Sequence, residues 1–260
     1  MDQSLGKGGV ELPMPRKACI VLPAYNEEFS IGRLLGRIEE VMHESSYPYQ
    51  VILVDDGSRD NTAKIVGEYS KRIPVVIKQH KVNLGLGATI RDGLMAAAEL
   101  TADRDIIVTM DADDTHMPAL ILRMIQMIDE GHDVVIASRY QAGARTIGVP
   151  VLRRLMSFMA SFLFRILFPI PGVRDFTCGY RAYRSTVIKD AIKKYGKSLF
   201  NQQGFQCMAD ILLKLRRMNL VFGELPIILR YDFKKGKSKM DVMHTAWKTF
   251  ILVLVRRLGK

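Results

Sequence analysis

At 260 residues, 48% of them hydrophobic and 25% charged, the chain has ample apolar material for one large domain, or one domain with an appendage. Three cysteines exclude a complete disulfide framework and point to a reducing compartment, and no apolar run reaches the roughly 20 residues that a spanning helix needs. The net charge of +11 is unevenly placed: residues 1–150 carry 16 Lys and Arg against 21 Asp and Glu, net −5, and residues 151–260 carry 22 against 6, net +16.

Residues 1–16 hold Gly and Pro but no long apolar core, which predicts a flexible lead-in rather than a signal peptide. Lys17 to Leu22 reads as a short strand closed by Pro23, and a helix with Ile31, Leu34, Leu35, Ile38 and Val41 on one face follows Ser30. Val51 to Val54 is the second strand and ends in Asp55-Asp56-Gly57-Ser58. Asn61-Thr62 caps a helix through about Lys71, and Val75 to Lys78 is the third strand. Asn83-Leu84-Gly85-Leu86-Gly87 opens another helix, where Gly85 and Gly87 could let backbone approach a phosphate. The spacing matches neither a P-loop nor the GxGxxG fingerprint, which disfavours a dehydrogenase or a P-loop kinase. Asp105 to Met110 is a fourth strand, followed by a helix from about Pro118 to Glu130 and a fifth strand at Val134 to Ala137. Such alternation predicts a mainly parallel sheet wrapped by helices, with function at the carboxyl ends of its strands.

The fourth strand carries the sharpest chemical signal, Asp111-Ala112-Asp113. Alternate side chains of an extended segment point the same way, so Asp111 and Asp113 can converge on one cation. Hard oxygen donors suit Mg²⁺ or Mn²⁺, ions that usually also take substrate phosphates. An isolated Asp-x-Asp is more often a solvated acidic turn; the surrounding strand ends change that balance. His116 is a candidate to orient a ligand, or a turn cap beside Pro118.

Past Ser138 the pattern changes. Ser138-Arg139-Tyr140 leaves the fifth strand, and residues 151–170 form an apolar segment flanked by Arg153, Arg154 and Arg165 and stopped by Pro169 and Pro171. Asp175 to Arg184 alternates like a strand, helices cover about Thr186 to Tyr195 and Phe205 to Met218, and Val221 to Leu229 is a final strand. Lys234 to Lys239 is a flexible basic loop, and residues 240–260 form a terminal amphipathic helix containing Phe250 to Val255. Apolar helices bounded by arginine suit an anionic membrane surface, against the plainer reading of a packed core or dimer helix. Nucleic acid is not expected, because no binding motif or aromatic platform accompanies the charge.

Pro23-Ala24-Tyr25-Asn26-Glu27, Val54-Asp55-Asp56-Gly57-Ser58, Asn83-Leu84-Gly85-Leu86-Gly87 and Asp111-Ala112-Asp113, in this order, resemble the family 2 glycosyltransferases. Ser138-Arg139-Tyr140, Asp175 to Arg181 and Gly236-Lys237-Ser238-Lys239 extend the resemblance to the dolichol- or polyprenyl-phosphate sugar transferases, mannosyltransferases especially. The match covers about Lys17 to Lys239, so residues 17–239 are expected to form one domain. Each motif is weak alone; four in register are strong.

The resemblance implies a GT-A fold that binds a nucleotide-sugar. Pro23, Tyr25 and Glu27, with Asp55 and Asp56, would contact base and ribose. Asp111, Ala112 and Asp113 would meet the diphosphate, with Asp111 and Asp113 on the metal and Thr115 at the third ligand position, where many relatives carry Gln or Ser. Arg139 would meet phosphate and, with Asp113, act in catalysis. Arg153 and Ser157 would join Arg139 on the lipid phosphate, while Arg230 and Lys237 would close over the diphosphates. Relatives often carry Phe-Gln-x-Glu, and here Phe205-Gln206-Cys207-Met208 puts Met at the acidic position.

The residues agree with that chemistry. A hydroxyl acceptor needs a general base near the anomeric carbon, whereas a lipid monophosphate is already anionic and needs cations instead. The chain has no Gln-x-x-Arg-Trp motif, its single Trp is Trp247, and its second half lacks an obvious Glu-Asp base. These expectations describe an inverting, metal-dependent enzyme peripheral to the cytoplasmic face of a membrane, taking GDP-mannose or another nucleotide-sugar. A separate membrane-anchoring subunit would fit the absence of a spanning helix. A polysaccharide, protein or small-molecule acceptor, or a non-catalytic membrane-associated subunit that binds nucleotide-sugar, stays open on the residues alone.

Overall fold

The computed structural model describes residues 16–233 and 242–257. The lead-in over residues 1–15 and the basic loop with Lys237 lie outside the described residues. Strands β1 (Ala18–Ala24), β2 (Tyr49–Asp55), β3 (Val75–Gln79), β4 (Ile106–Thr109) and β5 (Val134–Ser138) coincide with the five β-branched runs. Helices α1 (Ile31–Glu44), α2 (Thr62–Tyr69), α3 (Leu86–Leu100) and α4 (Leu120–Asp129) lie between them. Every residue of β4 and β5 is buried, as a strand covered on both faces requires, whereas β3 at the sheet edge alternates partly exposed and exposed positions.

The sheet has seven strands in the order β3-β2-β1-β4-β7-β5-β8. Strands β1 to β4 run parallel, and β8 (Phe222–Pro226) is parallel to β5. Strand β7 (Arg181–Arg184) is inserted antiparallel to both β4 and β5, which separates the sheet into two parallel blocks. The long strand expected over Asp175 to Arg184 is thus only its last four residues. Asp175 accepts the backbone N–H groups of Thr177 at 3.2 Å and Cys178 at 3.0 Å, and so holds the preceding segment in a turn. Its apolar residues are buried as a loop, with the same alternation that a strand would show.

The final strand is also divided. Pro226 closes β8, Ile227 donates its N–H to Ser138 O, and β9 (Ile228–Arg230) peels away to pair with β6 (Arg145–Ile147). Proline has no N–H to continue a ladder, so the break falls where the chain loses a donor.

Three further helices complete the described chain between β6 and the basic loop: α5 (Val151–Leu167), α6 (Ser185–Tyr195) and α7 (Cys207–Leu215), whose last expected turn, Arg216–Met218, is a 3-10 turn. The terminal helix α8 (Val242–Arg257) packs along α5. Each carries an exposed apolar stripe at helical spacing: Leu152, Leu155, Phe158, Met159, Phe162 and Ile166 on α5, and Trp247, Phe250, Ile251, Leu254 and Val255 on α8. No described helix is long and apolar enough to cross a membrane. An ion-pair cluster holds α8 to α7, in which buried Asp210 accepts from Arg256 at 2.7 Å and from Lys214.

Candidate active site

The carboxyl ends of β1, β2 and β3 enclose a cleft of about 340 Å³ lined by Tyr25, Ser58, Arg59, Gln79, His80 and Lys81 among others. Asp55 and Asp56 are buried behind its wall. Asp55 accepts the Ser58 N–H at 2.9 Å and the Gln79 amide at 3.0 Å, while Asp56 accepts the N–H groups of Leu84 and Gly85 at 2.9 Å each. Asp56 also meets His80 Nδ1 at 2.7 Å, and the other ring nitrogen meets Asp92 at 2.9 Å. These two carboxylates hold three loops in place around the cleft. Pro23 lies within β1, and Glu27 accepts the Ser30 hydroxyl at 2.8 Å at the start of α1. Asn61, expected to cap α2, makes no capping bond; its amide goes to Glu28, and Asp60 accepts the Thr62 N–H instead.

Gly85 and Gly87 serve a purpose other than the expected phosphate cradle. The Gly87 N–H donates to Gln203 O at 2.7 Å, and a Cβ on Gly87 would lie 1.8 Å from Gln202 O. The 201–204 segment occupies the N-terminus of α3, so the glycines admit a neighbouring loop and not an anion. Gly87→Ala is expected to displace that loop and lower the thermal midpoint; melting of the variant checks this.

A second, larger cavity of about 620 Å³ opens beyond β4, with Asp111, Asp113, Thr115, Arg139, Arg153 and Ser157 in its wall. The loop that leaves β4 divides its carboxylates between two tasks. Asp113 accepts the backbone N–H of Thr115 at 3.2 Å and its hydroxyl at 2.7 Å, a turn that fixes its orientation. Asp114 sits at φ +58°, fully buried, and turns back to pair with Arg37 at 2.8 Å and with Arg33, both on α1. Ala112 is buried. Asp111 keeps its side chain 47% exposed, with His116 Nε2 3.9 Å away. The Asp111 N–H donates to His116 Nδ1 at 3.3 Å, which assigns the ring proton to Nε2, facing the carboxylate. His116 is stacked on Tyr180 with centroids 5.0 Å apart.

Asp111 and Asp113 offer hard oxygen donors on one cavity wall. Among the described residues no three His, Cys, Asp or Glu side chains form a group that could hold a metal ion. Two carboxylates with the remaining positions left to water and substrate oxygen fit Mg²⁺ or Mn²⁺.

At the far side of the cavity Arg139 is held by buried Asp175. Its Nε and Nη2 reach the two carboxylate oxygens at 2.8 and 2.7 Å, Nη2 also donates to Thr177 at 2.6 Å, and Nη1 donates to Ser157 on α5 at 2.8 Å. Burial pushes the Asp175 carboxyl up, but Arg139 and the N–H donors around it outweigh that and hold it below its ordinary value. Arg153 donates to the Tyr231 hydroxyl at 2.7 Å and lies over that ring, while Arg230 is paired with Asp232 at 2.9 Å beside the ring of Phe233. Gln206 and Met208 complete the wall between Asp111 and α8.

Sequence reasoning assigned no role to Asp114, Asp175 or Glu224. Glu224 accepts the N–H groups of Arg174 and Asp175 at 2.6 Å each, and burial pushes its carboxyl up. Arg181 is fully buried and donates to the carbonyls of Phe176, Cys178 and Met208 at 2.8, 2.9 and 2.7 Å. Only the Asp175–Arg181 motif as a whole drew attention to that region. The three cysteines are buried, their thiols pushed up to about 12 chiefly by burial, and they serve as core.

Residues 19–192 match the family model for glycosyl transferase family 2. The chain is 28% identical to a polyprenol monophosphomannose synthase from Mycolicibacterium smegmatis, over 92% of this chain and 87% of that protein. It is 31% identical to a dolichol-phosphate mannosyltransferase from Pyrococcus furiosus, over 86% of this chain and 59% of that longer protein. The glucosyl-3-phosphoglycerate synthase of Mycobacterium tuberculosis, crystallised with Mn²⁺, UDP and phosphoglyceric acid, superposes with a TM-score of 0.68 at 18% identity, covering 94% of this chain and 79% of that one. That likeness places the fold in the GT-A class.

Proposed function

Because the chain belongs to glycosyltransferase family 2, we propose that it transfers a sugar, with mannose from GDP-mannose as the first candidate, from a nucleotide-sugar to a polyprenyl phosphate. One observation carries the acceptor assignment. The cavity that begins at Asp111 and Asp113 ends at Arg139, just past β5, and at Ser157 on α5, a helix that carries an exposed apolar stripe. A phosphate at that end would place its lipid tail along α5, and α5 with α8 would lie in the membrane surface at its cytoplasmic face.

The nucleotide would occupy the cleft at β1 to β3, with Tyr25 against base or ribose and Asp55 and Asp56 holding the walls. Its diphosphate would then reach the end of β4, next to β1 in the sheet. Bound between Asp111 and Asp113, with Thr115 orienting Asp113, Mg²⁺ or Mn²⁺ would supply neutralising charge to the diphosphate leaving group. Arg230 at the end of β9 would add a cation, and Lys237, outside the described residues, is proposed to add another. Arg139, Arg153 and Ser157 hold the acceptor phosphate so that its oxygen faces the anomeric carbon opposite the diphosphate. The new C–O bond forms as the bond to the diphosphate breaks, with inversion. The attacking oxygen is already ionised, so no side chain has to remove a proton. Membrane attachment would rest on α5 and α8, alone or with a separate anchoring subunit.

The deciding measurement is transfer of radiolabelled sugar from a panel of nucleotide-sugars into organic-extractable lipid, with Mn²⁺ or with EDTA. An acid-labile lipid product from one donor, abolished by EDTA, is expected. Metal-dependent hydrolysis of a nucleotide-sugar without any lipid product would overturn the acceptor assignment and leave the donor site standing.

A further inference from the structure

Away from the catalytic cavity, the C-terminal ends of α5, α7 and α8 converge on a separate pocket of about 200 Å³. Its walls carry five cations, Lys214, Arg216, Arg217, Arg256 and Arg257, beside Phe168. Buried Asp210 pairs with Lys214 and Arg256. Arg216 donates to Pro169 O at 3.0 Å. The side chains of Arg217 and Arg257 are exposed and make no hydrogen bond or ion pair to the described residues. Repulsion among like charges gathered in one concavity is unfavourable unless an anion joins them.

The surroundings say which anion. The pocket lies about 15 Å along α5 from Ser157, ten residues at the helical rise, so it is distinct from the acceptor phosphate site. It lies at the C-terminal ends of α5 and α8, the helices that carry the exposed apolar stripes. Helices resting on those stripes would bring the arginines to the depth of lipid phosphates, with their methylene stems against the apolar boundary. A guanidinium pair is well matched to phosphate oxygens.

We propose that this pocket binds the phosphate of an anionic phospholipid headgroup, a second lipid contact that orients the enzyme on the membrane. The inference rests on the membrane seating described above. It also competes with a plainer role, in which cations at helix C-termini merely offset the helix dipoles.

The test compares the full chain with Arg217→Gln/Arg257→Gln by cosedimentation with phosphatidylcholine vesicles, and with the same vesicles carrying phosphatidylglycerol. The unaltered chain is expected to bind the anionic vesicles about tenfold more tightly than the neutral ones. The double variant should lose most of that ratio while keeping its binding to neutral vesicles, its thermal midpoint and its transfer activity in neutral detergent micelles. A ratio that survives in the variant overturns the proposal, and does so alone if neutral vesicles still bind. A lower midpoint with an unchanged ratio leaves only the dipole role. Binding of inorganic phosphate by the unaltered chain without vesicles, lost in the double variant while the vesicle ratio is unchanged, would make the site one for free phosphate. Failure to bind either vesicle would overturn the headgroup site and the membrane seating together, while the micelle assay would still report on sugar transfer.

Discussion

Asp111→Asn is expected to reduce sugar transfer by about 10³-fold while leaving the fold intact. The Asp111 carboxylate is nearly half exposed and His116 Nε2 lies 3.9 Å away, beyond hydrogen-bond reach, so little structure depends on its charge. Removing that charge deletes one of two carboxylates available to a divalent ion, and the diphosphate would then leave against uncompensated charge. Asp114→Asn, three residues on, should behave in the opposite way. Asp114 is fully buried between two partly exposed arginines of α1, and loss of its charge-assisted bonds to them costs about 2–3 kcal/mol. In a chain of this size that is a fall in thermal midpoint on the order of 10 °C. Melting curves beside Mn²⁺-dependent kinetics separate the pair. Equal melting loss in both variants would contradict the division of labour in this loop.

Arg139→Ala should lose both stability and acceptor use. It strands the fully buried Asp175 carboxylate, at about 3–5 kcal/mol, and removes the bond to Ser157 that links the cavity to α5. Arg139→Lys restores a charge but not the two-pronged geometry, so it should recover part of the midpoint and little of the activity at low acceptor concentration. The pH dependence has a definite sign. Asp175 is held below its ordinary value in the folded chain. Its contribution is therefore complete above the unfolded value, about 3.9, and is lost as the pH falls through the lower folded one. Without the Arg139 guanidinium, burial is opposed only by the backbone N–H donors to Asp175, and the balance moves toward the protonated form. The deficit of the Ala variant should be largest near neutral pH and shrink as the medium becomes acidic. Thermal melts across that range measure it, and a deficit independent of pH would mean that Asp175 does not carry the effect.

The strand ends were readable because the chain writes them locally. Val51 to Val54, Ile106 to Val108 and Val134 to Ala137 are short β-branched runs, and carboxylates or small polar residues follow each. The insertion of β7 between β4 and β5 was not readable, since the partner of a strand lies far along the chain and leaves no mark on its own pattern. Asp175 to Tyr180 misled for a related reason: a buried loop alternates apolar and polar groups much as a strand does. Gly85 and Gly87 signalled close approach correctly, but a sequence does not say whether a phosphate or the chain itself approaches. Asp113 and Asp114 look interchangeable as letters. A single positive φ at Asp114 sends one carboxylate to the cavity and the other to α1.

The cluster around Asp210 bears on how this protein can be shortened. Helix α8 resembles a greasy tail that could be trimmed to gain solubility. Yet Asp210 is buried, and Arg256 from that helix reaches it at 2.7 Å, beside a lysine that also donates to Asn201 at 3.1 Å. Asn201 begins the segment that rests on the start of α3. Cutting the tail would remove one of the two cations that answer a buried carboxylate and loosen the segment packed on the start of α3. The helix is a keystone of the fold, and a trimmed chain should aggregate sooner rather than later.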